Sequence, residues 1–90
     1  MPANNHEDRT RQIALALSER RDIARIMLRR EMDARGLTEG AGWKIDEQLR
    51  NVVGGTELIL RPIHLREHAP QDLVYVVAIS EEDGSTNLRR

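Results

Sequence analysis

The chain has 90 residues, 32% of them charged, a net charge of −1 and no cysteine. A chain this short buries only about 60 to 65% of the surface its unfolded form exposes, so its stability is marginal without a disulfide, a metal or a partner. The missing cysteines exclude disulfides and thiolate zinc sites, which leaves association as the common remaining route.

Charge is unevenly spread. Residues 9 to 35 carry eight arginines against four acids, for +4, whereas residues 36 to 90 sum to −3. Thirteen of the fourteen basic residues are arginine, the side chain suited to planar, bidentate recognition of carboxylate or phosphate. No apolar run is long enough to span a bilayer, and the first eight residues lack the basic-then-apolar pattern of a secretory leader. A cytoplasmic location is the expectation.

From Glu7 to Arg35 there is neither glycine nor proline, and good helix formers dominate. At about 100° per residue, Ile13, Ala16, Leu17, Ile23, Ala24, Ile26, Met27, Leu28 and Ala34 fall within about 200°, which predicts one broad buried face. Arg20 and Glu31 interrupt it. Gly36 followed by Leu37 predicts the stop, with glycine in the left-handed conformation and Leu37 folding back onto Met32. A helix of about 28 residues spans roughly 42 Å, longer than strands of eight or nine residues. It must therefore overhang its sheet or break near Ser18, where serine could cap a second helix; one continuous helix is the preferred reading.

Trp43 to Val53 fits helical spacing through Ile45, Leu49 and Val52, but it also alternates, and strand is the reading adopted. Gly54-Gly55 then turns the chain into a second strand over Thr56 to Arg66, with a bulge or an unpaired edge expected at Pro62. Ala69 to Asp72 reads as a turn. Leu73 to Ser80 is apolar on both faces and forms the third strand. The fold class expected is α+β: a long N-terminal amphipathic helix, with a candidate break near Ser18, followed by a three-stranded antiparallel β-meander. It forms a single domain over residues 1–90, with mobile tails at 1–7 and 84–90.

One helix covers one face of such a sheet. The other face would present Ile59, Ile63, Leu65, Val74 and Val76, and soluble monomers rarely expose a large contiguous apolar patch. Those five residues are therefore the expected partner surface, with a second copy of the chain as the favoured occupant, since two-fold dimers are the commonest soluble oligomers. Arg21, Arg25 and Arg29 recur at i, i+4 and i+8, a row of like charges that invites an anionic partner. Acidic protein surface fits that row better than nucleic acid does. The chain is slightly acidic, and only Trp43 and Tyr75 could stack on bases.

Chemistry-bearing motifs are weak. His64 and His68 would suit two metal ligands on a helix, but on a strand their rings lie about 13 Å apart, so no metal site or cofactor is expected. Ser18, Ser80 and Ser85 lack the setting of a nucleophile, and no glycine loop with a lysine cradles phosphate. Three functions thus stand in order: a non-enzymatic self-associating interaction or adaptor module, a nucleic-acid-binding regulator using the arginine row, and a small enzyme with an intersubunit site near Arg61 and His64.

Overall fold

In the computed structural model, residues 5–90 are described, with side chains from residue 11 onward. Helix α1 runs unbroken over Asn5–Ala34, so Ser18 sits inside it and caps nothing. Of the tail expected at 1–7, residues 5–7 belong to this helix and residues 1–4 lie outside the described residues. The helix ends as its sequence predicts. Gly36 takes φ +77°, its N–H donates to Asp33 O, and the Leu37 N–H reaches back to Met32 O at 2.8 Å. This pair of backward hydrogen bonds satisfies carbonyls that the helix end would otherwise leave open.

After a short 3-10 turn at Glu39–Ala41, capped by the Thr38 hydroxyl, the chain forms β1 (Lys44–Val52), β2 (Gly55–Ile63), β3 (Tyr75–Ser80) and β4 (Thr86–Arg89). They make one antiparallel sheet in the order β1-β2-β3-β4. The ambiguous segment from Lys44 is strand, paired from Lys44↔Ile63 to Val52↔Gly55 without a bulge. Pro62 escapes the ladder on its other side, because β2–β3 pairing stops at Leu60↔Tyr75.

The expected three strands are four, and the tail predicted at 84–90 is largely β4. A tight turn makes this return possible: Ser80 N–H donates to Ser85 O, Gly84 N–H to Ser80 O, and Ser85 N–H to Asp83 Oδ1. Gly84 supplies the positive φ of 69° that the turn needs. Leu88 is the single apolar side chain of β4, and it packs against the core.

Core residues come from one stripe of the helix and one face of the sheet. Ala24, Leu28 and Met32 pack with Trp43, Leu58, Leu60, Leu73, Tyr75 and Val77, with Leu17, Leu37, Ile45 and Leu88 at the margin. The helix lies over β2, β3 and β4. A helix of 30 residues is about 45 Å long, whereas a nine-residue strand is about 30 Å. The molecule is accordingly elongated, 55 × 25 × 19 Å. Its radius of gyration of 15.7 Å exceeds the roughly 12 Å of a compact domain of this length.

Candidate functional site

The arginine row lies on the β1 flank of the helix, where acids of the same chain meet it. Arg25 donates to Glu47 Oε2 at 2.9 Å, with Arg21 Nε 4.0 Å from the other oxygen of that carboxylate. Arg29 stands 3.6 Å from Glu39 in the 3-10 turn, and Arg21 also approaches Asp22 at 3.6 Å. Glu47 faces the helix because it pairs with Leu60, whose side chain points into the core. The row thus fastens the helix to β1 and the turn before it. Its charge is largely answered within the chain, a pairing that i, i+4 spacing alone cannot reveal.

On the sheet face away from the helix, Ile59 of β2 stands across from Val76 of β3, and the five predicted partner residues differ widely in exposure. Ile59 is only 7% exposed, Val74 and Val76 are half-buried, and Ile63 is 40% exposed. Leu65 lies beyond the strand end, fully exposed. Beside them stands a charged cluster that no sequence pattern announced. Glu57, 7% exposed, accepts from Arg50 of β1 at 2.6 Å and from Arg89 of β4. The arrangement follows from register: Glu57 pairs with Arg50 on one side and with the small Ala78 on the other, over which Arg89 can reach. The hydrogen bond from Arg50 first, and that from Arg89 after it, hold the Glu57 carboxyl below its ordinary range. At the opposite end of the face, Arg61, His68, Pro70, Gln71 and Val74 line an open cleft of about 520 Å³.

His64 is absent from that cleft. Its Nε2 lies 2.9 Å from Ala41 O, and its Nδ1 accepts from the N–H groups of Arg66 and Glu67 at 2.9 and 3.1 Å. A carbonyl only accepts and an N–H only donates, so these partners select the neutral Nε2–H tautomer. The ring also packs on Trp43, with centroids 4.9 Å apart. Both nitrogens are therefore occupied in holding two loops together, and Arg61 and His64 do not converge. Among the described residues, no cluster of three or more metal-binding side chains occurs.

Two further ion pairs clamp the far end of the helix. Arg35 donates to both oxygens of Asp72, at 3.1 and 2.8 Å, which raises its own pKa and lowers that of Asp72. Glu31, an interruption of the apolar face in sequence, accepts the Tyr75 hydroxyl at 2.7 Å and pairs with Arg90. Burial first, and then the Glu31 carboxylate, pushes the Tyr75 hydroxyl above its ordinary value.

The largest departure from expectation concerns the helix itself. Of the broad face predicted to be buried, only Ala24 and Leu28 are fully enclosed, joined by Met32 and flanked by Leu17. Ile23, Ile26 and Met27 remain 41, 55 and 40% exposed, and Leu15 in the overhanging part is 59% exposed. A flat sheet touches one side of a cylinder, so a 200° apolar arc is wider than the sheet can cover. Among the described residues, no helix is long and apolar enough to cross a membrane. Comparison with protein-family models, with curated proteins and with solved structures finds no match in any of the three.

Proposed function

We propose that this chain is a non-enzymatic interaction module whose partner is a second copy of itself. One observation carries the reading: the helix spends a single stripe on its sheet, and Leu15, Ile23, Ile26 and Met27 stay exposed on its remaining sides. Such apolar surface favours association by about 25 cal/mol for each Å² removed from water. Association also raises the stability of a small domain by mass action. The sheet contributes less to the argument, since Ile59 is already enclosed and the charged Glu57 with its two arginines stands at one end of its apolar row. The arginine row is assigned to intramolecular pairing. A cytoplasmic setting belongs to the same proposal and rests on the cysteine-free composition.

Co-expression of two copies carrying different affinity tags tests this reading. Capture through one tag is expected to bring down the other copy in comparable amount, at low and at high salt. Recovery of the captured copy alone would sink the proposal.

A further inference from the structure

We propose that the cleft beside the end of β2 binds a small apolar carboxylate, gripped by the Arg61 guanidinium with His68 and Gln71 as further donors.

The cleft follows from unequal strand lengths. β2 runs to Ile63, but its pairing with β3 stops at Leu60↔Tyr75, so from Arg61 onward it has no strand neighbour on that side among the described residues. Pro62 has no N–H to offer one. The chain bows away after Ile63 and returns at Tyr75, and the gap between strand and loop is the space of about 520 Å³ lined by Arg61, His68, Ala69, Pro70, Gln71 and Val74. That volume lies in the ordinary range of small-molecule sites. The loop wall is anchored on both sides of the cleft. His64 is fastened to Ala41 O and to the Arg66 and Glu67 N–H groups, and Asp72 is held by both terminal nitrogens of Arg35. Ala69 packs against the core, and Leu73 is fully enclosed. A wall fixed in this way exists before a ligand arrives, so little ordering opposes binding.

The polar groups of the cleft are left open by the chain itself. Of the three arginines in the strands, Arg50 and Arg89 both pair with Glu57. Arg61 stands across the ladder from Asp46, yet it makes no ion pair with that acid and lines the cleft on the opposite side. The side chains of Arg61, His68 and Gln71 make no hydrogen bond or ion pair among the described residues. A guanidinium grips a carboxylate through two parallel N–H donors, and the imidazole and amide supply more. Ala69, Pro70 and Val74 give the rest of the ligand an apolar wall. Charge favours a carboxylate over a phosphate. Arg61 is the single arginine or lysine that lines the cleft among the described residues, and Asp72 beside Gln71 is already matched by Arg35. One negative charge is answered there, whereas a phosphate carries close to two. Asp46 across the strand adds repulsion against the second.

This inference does not depend on self-association, because the cleft lies away from the helix. Its test is nitrogen-15 NMR on the full chain, titrated with isovalerate, with isovaleramide as the uncharged analogue, and with inorganic phosphate. Isovalerate is expected to shift the amide signals of Arg61, His68 and Gln71 saturably, with a dissociation constant on the order of 1 mM, modest because the cleft is open. The amide and phosphate are expected to bind about tenfold more weakly or less. Arg61→Gln is expected to weaken isovalerate by a similar factor, and Arg66→Gln, exposed in the adjoining loop, to leave it unchanged. Both positions are exposed, and the dispersion of the remaining signals verifies that the fold is retained. An acetylated dipeptide ending in a free leucine carboxylate identifies the source. Tighter binding of the dipeptide assigns the group to a chain terminus, and tighter binding of isovalerate assigns it to a free acid. Equal response to acid and amide, preference for phosphate, or equal losses in the two arginine variants would overturn the site.

Discussion

Gly54 and Gly55 form the turn between the first two strands, and alanine at each is expected to fail for a different reason. At Gly55 an added Cβ would lie 1.9 Å from the Ile79 carbonyl oxygen and 3.0 Å from its carbon. That is more than 1 Å inside the roughly 3.3 Å closest approach of carbon to oxygen. The obstacle is backbone, so relief requires β2 and β3 to part where Gly55 pairs with Ser80. We expect Gly55→Ala to cost about 3 kcal/mol, the upper end for forcing volume into a packed site. At Gly54 the space is open, but φ is +84°, and alanine pays the left-handed penalty of about 1 to 2 kcal/mol. Asparagine tolerates that conformation, so Gly54→Asn is expected to recover much of the loss, whereas Gly55→Asn is not. Against a total stability of about 5 to 13 kcal/mol for a chain of this size, the Gly55 effect is large. Urea unfolding followed by the fluorescence of Trp43, 4% exposed, reads it out at fixed protein concentration. With a slope of about 1.5 kcal/mol/M, the Gly55→Ala midpoint falls by about 2 M. A Gly55→Ala loss below about 0.5 kcal/mol, or a Gly54→Asn as damaging as Gly54→Ala, would refute the reasoning.

Removing the Tyr75 hydroxyl takes away the donor to Glu31, and Tyr75→Phe is expected to cost about 1 to 2 kcal/mol by urea unfolding; no loss would mean that water replaces the bond fully. Glu57 and Asp72 are held below their ordinary values by Arg50 and Arg35 respectively, so each contributes stability that is complete above the unfolded-state pKa and disappears as pH falls through the folded one. Thermal midpoints are therefore expected to drop from about pH 5 downward, less steeply for Glu57→Gln, and an unchanged profile in that variant would contradict the assignment. Because Glu47 and Glu39 answer the arginine row, labelled duplex DNA is expected to show no anisotropy change with the steep salt dependence of phosphate binding. Tight, salt-sensitive binding would reassign Arg21, Arg25 and Arg29 to nucleic acid.

Local signals were legible wherever one residue decides the backbone. Gly36 and Leu37 announced the helix end because only a residue at ease with positive φ continues there, and the hydrogen bonds to Asp33 and Met32 are those the motif requires. Trp43 to Val53 was legible as strand through its alternation and the glycine turn that follows. β4 was not, because Thr-Asn-Leu-Arg has one apolar residue, too few for a period to register; its place comes from the Ser80–Ser85 turn and from the space for Leu88. The width of the buried helix face was overread for a geometric reason. Periodicity reports which residues are apolar, while the curvature of the helix against the sheet decides which of them are covered, leaving Ile23 and Met27 outside. Partners distant in sequence, such as Arg25 with Glu47 and Glu57 with Arg89, are matters of register and cannot be read from spacing. Glu31 was visible only as an interruption of the apolar face, a signal that a half-buried acid has a partner waiting.

Solution mass, measured by light scattering on the full chain over a dilution series, tests the central claim most directly. The account predicts a species at twice the 10.3 kDa chain mass that persists at high salt, because apolar side chains form the centre of the contact, and that dissociates only on strong dilution. A mass equal to one chain across the whole series would contradict it.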